Sequence, residues 1–221
     1  MLEMRKILKK KKFDQVPQLS SSVKIDVDKR FQLVPDYVRG IKRAVLIGIN
    51  YVGQEGCLSG CHNDVCNMKA YLIDVLGFKD ENIVVLMDDG QHIPPTKSNI
   101  LLSLLTLCKK SKVGDAAYFH YSGHGGRIKD ENGDESDGYD ETLVPVDFSQ
   151  AGQIKDDELY HLLVGAMPRN TSLTCVMDCC HSGSVLDLPY IILGDKKAVA
   201  MSCNQKHSLA RIERMIHLAE I

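Results

Sequence analysis

The 221 residues contain no apolar run near the roughly 20 residues that a membrane-spanning helix needs. The charged N-terminus is not followed by an apolar stretch of the kind a secretory signal carries. The net charge is only −2, too little for a global field that would draw the chain to nucleic acid. Neither a membrane nor nucleic acid is therefore expected as a partner. Eight cysteines without a leader point to reduced thiols and a cytoplasmic location. The C-x-x-C spacing of dithiol redox sites is missing, and so are the paired knuckles of structural zinc sites. Cys57, Cys61, His62 and Cys66 are better spaced for a metal than the adjacent Cys179, Cys180 and His181, but they flank a glycine turn and lack a second knuckle. The basic run "RKILKKKK" (5–12) reads as a solvated helix face rather than a nuclear address.

What is present is an alternation of apolar strands and amphipathic helices. "RAVLIGIN" (43–50), "NIVVLMDD" (82–89), "AAYFHYS" (116–122), "SLTCVMD" (172–178) and the weaker "KAVAMSC" (197–203) are nearly continuous apolar segments. Such segments suit strands buried on both faces of a mostly parallel sheet. Between them, "NDVCNMKAYLIDVLG" (63–77), "TKSNILLSLLTLCKK" (96–110) and "DDELYHLLVGAM" (156–167) carry three-to-four spacing and predict helices. The expected class is α/β, with helices on both faces of the sheet. Functional groups of such sheets gather at the carboxyl ends of the strands. Two of those ends are chemically loaded: "YFHYSGHGG" (118–126) and "MDCCHSGSVLD" (177–187).

The second stretch asks whether its cysteines bind metal, pack a core or attack a substrate. A nucleophile needs a base and an oxyanion hole. His124 follows a buried-strand pattern and is bracketed by Gly123, Gly125 and Gly126, which permit sharp turns and close approach of a substrate. Cys–His pairs of this kind are distant in sequence and adjacent in the fold. The amides of Gly125 and Cys180 are candidate oxyanion donors.

Together "YFHYSGHGG" and "DCCHSGSVLDLPY" resemble the metacaspases, the caspase-like clan of cysteine peptidases. "LIGINY", "LSGCHNDV", "PVDF" and "IKDDEL" agree in place and order, and the resemblance covers about residues 40 to 190. It implies a caspase-like three-layer sandwich. It also implies that Cys180 is the nucleophile and His124 its base, with Cys179 left to core packing. Members cleave protein or peptide substrates after Arg or Lys. Asp64 and Asp178 fall on the specificity-pocket positions, with Cys61 and Ser122 lining the pocket. Read without the family, Asp64 is a first-turn helix acid, whereas Asp178 has no evident structural duty. Many metacaspases need calcium, and Asp140, Asp156, Asp157 and Asp187 match the acids that bind it. Carboxylate oxygens suit Ca²⁺. The run "DENGDESDG" (130–138) is a solvated loop rather than an EF-hand, whose ligand spacing it lacks. No organic cofactor is implied.

The resemblance divides the chain into three parts. Residues 1–38 resemble the carboxyl-terminal helix and strand of the family's small subunit, 39–192 the large catalytic domain, and 193–221 part of the small subunit's opening segment. Set against the family's pattern, the small subunit is expected to be incomplete and out of order. The acid that usually precedes the Gln in "SCNQKHS" is missing, and Lys196 and Lys197 are the only nearby basic residues for self-cleavage. A sheet lacking that half would expose an edge open to pairing with another chain. The alternative to a peptidase is therefore an interaction or scaffold protein that keeps the dyad without a competent cleft.

Overall fold

The structure, a computed structural model, describes residues 38–129 and 138–180, Leu186, and the backbone of 190–195 and 198–203. Residues 1–37, most of the acidic run, Asp187 and the segment after 203 lie outside the described residues.

Four parallel strands form the central sheet: β1 (Lys42–Gly48), β2 (Ile83–Met87), β3 (Ala116–Ser122) and β7 (Ser172–Asp178), in the order β2-β1-β3-β7. Their apolar runs fill both faces. Helix α1 (Cys61–Asp74) sends Val65 and Leu72 onto Ala44, Leu46 and Tyr118 on one side. Helix α2 (Lys97–Lys110) packs Ile100, Leu104 and Leu107 with Val45, Ile47 and Phe119 on the other. Thr96 caps α2 by accepting a hydrogen bond from the Asn99 amide, and Lys109 and Lys110 sit in its last turn, where cations suit the helix dipole. The result is the α/β caspase-like sandwich, with a parallel sheet between helical layers.

The predicted helix over 156–167 is shorter than expected. One α-turn, α4 (Asp156–Leu159), widens into a π-turn at Tyr160–Val164. The Cys108 thiol donates to the Leu162 carbonyl at 3.2 Å, and Gly165 N–H reaches back five residues to the Tyr160 carbonyl at 2.7 Å.

A second, antiparallel sheet joins β4 (Gly125–Lys129), β5 (Tyr139–Leu143) and β6 (Ile154–Lys155). A single-turn helix, α3 (Phe148–Ala151), lies between β5 and β6. The backbone of β8 (Tyr190–Asp195) and β9 (Ala198–Cys203) forms an antiparallel hairpin in a separate compact unit.

Candidate active site

The chain leaves β1 toward β2 on one side and later fills β3 and β7 on the other. The strand order therefore reverses between β1 and β3, the place where open α/β sheets bind their ligands beyond the carboxyl ends of the strands. In the parallel register Ser122 faces Asp178. His124 and Cys180 each lie two residues beyond that pair, so the two chain ends leave the sheet side by side. Gly125 measures the closeness. A Cβ at Gly125 would overlap the Cys180 carbonyl oxygen and would stand 3.4 Å from Cys179 Sγ. Only glycine lets these two loops touch.

The neighbouring cysteines differ in environment. Cys180 is exposed. Cys179 is partly buried against the core that contains Tyr121 and Leu143. Burial, helped by the nearby Cys180 and Asp178, pushes the Cys179 thiol up to about 11. A thiol held that high is a poor source of thiolate at neutral pH.

His124 is held on several sides. Its Nε2 lies 2.6 Å from the Gly56 carbonyl oxygen. A carbonyl only accepts, so Nε2 carries the proton and Nδ1 keeps the lone pair that a base needs. The imidazole packs on the Tyr51 ring, with centroids 4.7 Å apart and planes tilted by 37°. The His124 amide donates to the Tyr51 hydroxyl at 3.0 Å. Its carbonyl accepts from the Tyr121 hydroxyl at 2.8 Å.

The expected pocket residues come together on one face of the sheet. Alternation along β3 and β7 puts His120, Ser122, Val176 and Asp178 on the side covered by α1. Helix α1 approaches closely there: a Cβ on Gly48 would stand 2.6 Å from the Cys61 carbonyl oxygen. Asp64, half-buried in the first turn of α1, accepts a 2.8 Å hydrogen bond from Ser122 Oγ. It is a first-turn acid and also points at the strand end. Burial pushes the Cys61 thiol up, and the Asp64 and Asp178 charges add to it. Asp178 is exposed, more open than the half-buried Asp64. His120 is a further member that its motif did not reveal. It is 2 % exposed and its Nδ1 has no hydrogen-bond partner. Burial lowers its pKa, against the opposing pull of Asp64 and Asp178.

Three of the four candidate calcium acids are described. Asp140 on β5 and Asp156 at the start of α4 are both 3 % exposed, and Asp157 is half-buried. Lys155 Nζ meets Asp140 at 2.9 Å. Asp156 accepts from the Glu141 amide at 3.1 Å and the Asp157 amide at 2.8 Å. Burial, reinforced by the Asp140 and Glu141 charges, raises the Asp156 carboxyl to about 7 against those two hydrogen bonds. Glu141 is paired with Arg127 through Oε1, at 2.9 Å, while its buried Oε2 is unpartnered. Crowded carboxylates with one oxygen unsatisfied suit a hard cation. Among the described residues, however, no three such groups are arranged around a common point, and Asp187 lies outside them. The alternative zinc cluster is not gathered either: Cys57 and Cys66 are exposed, Cys61 is buried, and His62 pairs with Asp88 at 2.6 Å.

Comparison with known proteins agrees with the geometry. Residues 42–189 match the family described as metacaspase, peptidase C14 domain. The chain is 49 % identical over 212 residues to "Metacaspase III c" of Phaeodactylum tricornutum, covering 95 % of this chain and 63 % of that protein. It is 53 % identical over 154 residues to "Metacaspase-1A" of Aspergillus oryzae, covering 69 % of this chain and 37 % of the relative. The chain thus spans less than two thirds of either relative. The crystal structure of protein GSU0716 from Geobacter sulfurreducens superposes with a TM-score of 0.53 at 30 % identity, over 70 % of this chain and 58 % of that one. With a parallel sheet whose strand ends present Cys180 and His124, and a family match over two thirds of its length, the chain belongs to the metacaspases.

Proposed function

We propose that this protein is a calcium-dependent cysteine endopeptidase that cleaves after Arg or Lys. The observation that carries the reading is the contrast between an exposed Cys180 and a His124 whose Nε2 is tied to the Gly56 carbonyl. His124 Nδ1 takes the proton of Cys180, and the thiolate attacks the scissile carbonyl. The amides of Gly125 and Cys180 hold the oxyanion. The imidazolium returns its proton to the leaving amine. Water, activated by the same Nδ1, then hydrolyses the thioester. Asp64 and Asp178 meet the cationic side chain before the scissile bond, with Cys61 and Ser122 beside them. Arg gains more than Lys, because its planar fork can pair two carboxylate oxygens at once.

Calcium would be held by Asp140, Asp156, Asp157 and Asp187, and would supply positive charge that relieves the repulsion among them. Asp187 follows Cys180 by seven residues, so pinning it would order the chain that leaves the nucleophile. The ion then acts on conformation and takes no part in bond making. The protein works in the cytoplasm, a reading supported by seven free thiols among the described residues.

The test is turnover of fluorogenic peptides ending in Arg, Lys or Asp, with calcium and with excess EGTA. Cleavage after Arg, weaker cleavage after Lys, and silence in EGTA are expected. Preferred cleavage after Asp, or full activity in EGTA, would overturn the specificity or the calcium dependence respectively. The second reading is an interaction protein that keeps an idle dyad. It predicts no turnover under any condition. Among the described residues β7 ends the central sheet, so self-association through that edge is part of the proposal. Sedimentation velocity showing a monomer at all concentrations would remove it.

A further inference from the structure

Tyr51 is the residue of this site that no catalytic role has yet absorbed. It lies three residues past the end of β1 and is only 1 % exposed. Its φ is +53°, a left-handed conformation that residues with a bulky side chain rarely adopt. Glycine or asparagine would fit that backbone more easily, so the side chain must justify the conformation. What it touches is the candidate base. The ring lies 4.7 Å from the His124 imidazole, and the hydroxyl accepts from the His124 amide at 3.0 Å while donating to the Val144 carbonyl at 2.6 Å. The Tyr121 hydroxyl completes the frame, 3.3 Å from the Tyr51 hydroxyl and donating to the His124 carbonyl.

The loop that carries Tyr51 is itself anchored. Asp88, just past β2, accepts from the Asn50 and Val52 amides, each at 2.9 Å, on either side of Tyr51. The same carboxylate pairs with His62. The Leu58 amide donates to the Asn50 carbonyl at 2.8 Å and closes the loop. The loop also supplies the Gly56 carbonyl that holds His124 Nε2. One short segment therefore grips the histidine at its ring face, its far nitrogen and its backbone amide.

We propose that Tyr51 is a positioning residue for the base. Its ring sets the plane of the His124 imidazole and its hydroxyl fixes the His124 amide, so that Nδ1 stays turned toward Cys180. The left-handed turn at Tyr51 is the local cost of aiming the ring. Asp88 acts one step further out, by holding the amides on both sides of that turn. The proposal rests on Cys180 and His124 being the reacting pair. Tyr51 touches neither substrate nor the reacting sulfur.

The experiment measures two things in Tyr51→Phe: kcat and KM on an Arg peptide with calcium, and the pH midpoint for alkylation of Cys180 by iodoacetamide, read on the Cys180 peptide by mass spectrometry. His124→Ala and Asp88→Asn are measured alongside. Loss of the hydroxyl should lower kcat about tenfold with KM changed by less than about twofold. The alkylation midpoint should move up, part of the way toward the His124→Ala value, because a loosely held imidazole stabilises the thiolate less. Asp88→Asn should shift both in the same direction by less. A folded Tyr51→Phe with an unmoved midpoint overturns the proposal, even if kcat and KM worsen together. Should Tyr51→Phe fail to fold, Asp88→Asn decides, and an unmoved midpoint there overturns it too. If His124→Ala itself leaves the midpoint in place, the dyad assignment fails and the positioning role falls with it. If His124→Ala moves it and the Tyr51 and Asp88 variants do not, the dyad stands and this role alone is lost.

Discussion

Asp156 carries a charge that calcium-free protein should hold with difficulty. The residue is 3 % exposed, and burial together with the Asp140 and Glu141 charges raises its carboxyl from 3.8 to about 7. A carboxyl raised on folding favours the folded state at low pH. That contribution is complete below about pH 4 and is lost as pH rises through about 7. With about 1.4 kcal/mol for each tenfold change in proton affinity, the loss between pH 5 and pH 8 comes to about 2–3 kcal/mol. Asp156→Asn removes the titration and leaves one acceptor for the Glu141 and Asp157 amides. That lost acceptor costs about 1–2 kcal/mol, and the cost is the same at both pH values. The stability of the native chain minus that of Asp156→Asn should therefore fall by about 2–3 kcal/mol between pH 5 and pH 8. Urea unfolding in EGTA, followed by circular dichroism, measures it, and histidines titrating in both proteins cancel. Saturating calcium should restore the native chain at pH 8 and leave the variant unmoved. A difference that is the same at both pH values refutes the reasoning.

Other outcomes follow from the same geometry. Asp64→Asn should cost about 2–3 kcal/mol in kcat/KM for Arg peptides, because Asp64 is half-buried and fixed by Ser122, whereas the more exposed Asp178 should cost only about 1–2 kcal/mol as Asn. Steady-state kinetics on both variants checks the order, and a larger loss at Asp178 contradicts it. Gly125→Ala places a Cβ where the Cys180 carbonyl stands, so turnover should fall by about 100-fold while the protein still folds. Unchanged turnover would show that the two loops are not in contact. Lys155→Met removes the cation that meets Asp140, so calorimetry should find tighter calcium binding than in the native chain. Weaker binding would mean that the lysine helps build the site and does not compete with the ion.

The central sheet was legible because its strands are short apolar runs between amphipathic helices. "AAYFHYS" and "SLTCVMD" are β3 and β7 to the residue. The second sheet was not legible. Strand β4 is "GGRIK" and β5 is "YDETL", and neither has the apolar alternation that marks a strand. In β5 the acids Asp140 and Glu141 are buried, stabilised by Lys155 and Arg127 from elsewhere in the chain. Composition alone places them in solvent. The π-turn at Tyr160–Val164, which packs beside the Cys108 thiol of α2, is announced by no local pattern. In the candidate site, motif glycines and the loaded strand ends pointed to His124 and Cys180. The supports of His124 were hidden for a physical reason. Tyr51 was only the last letter of "LIGINY", Asp88 lay inside the apolar run 82–89, and Gly56 carried no signal of its own. Their contacts with the 121–124 and 50–52 backbone exist only after β1, β2 and β3 align in parallel. His120 was likewise read as a strand residue, and its nearness to Asp64 and Asp178 appears only once α1 covers that face.

The central claim is that Cys180, and not its neighbour, is the nucleophile of an arginine-directed peptidase. Covalent labelling with an arginyl chloromethyl ketone in the presence of calcium tests it most directly, with the modified residue located by tandem mass spectrometry. The label should map to Cys180, vanish in Cys180→Ala, persist in Cys179→Ala and be suppressed by EGTA. A label on Cys179, or no label on a folded, calcium-loaded protein, contradicts the account.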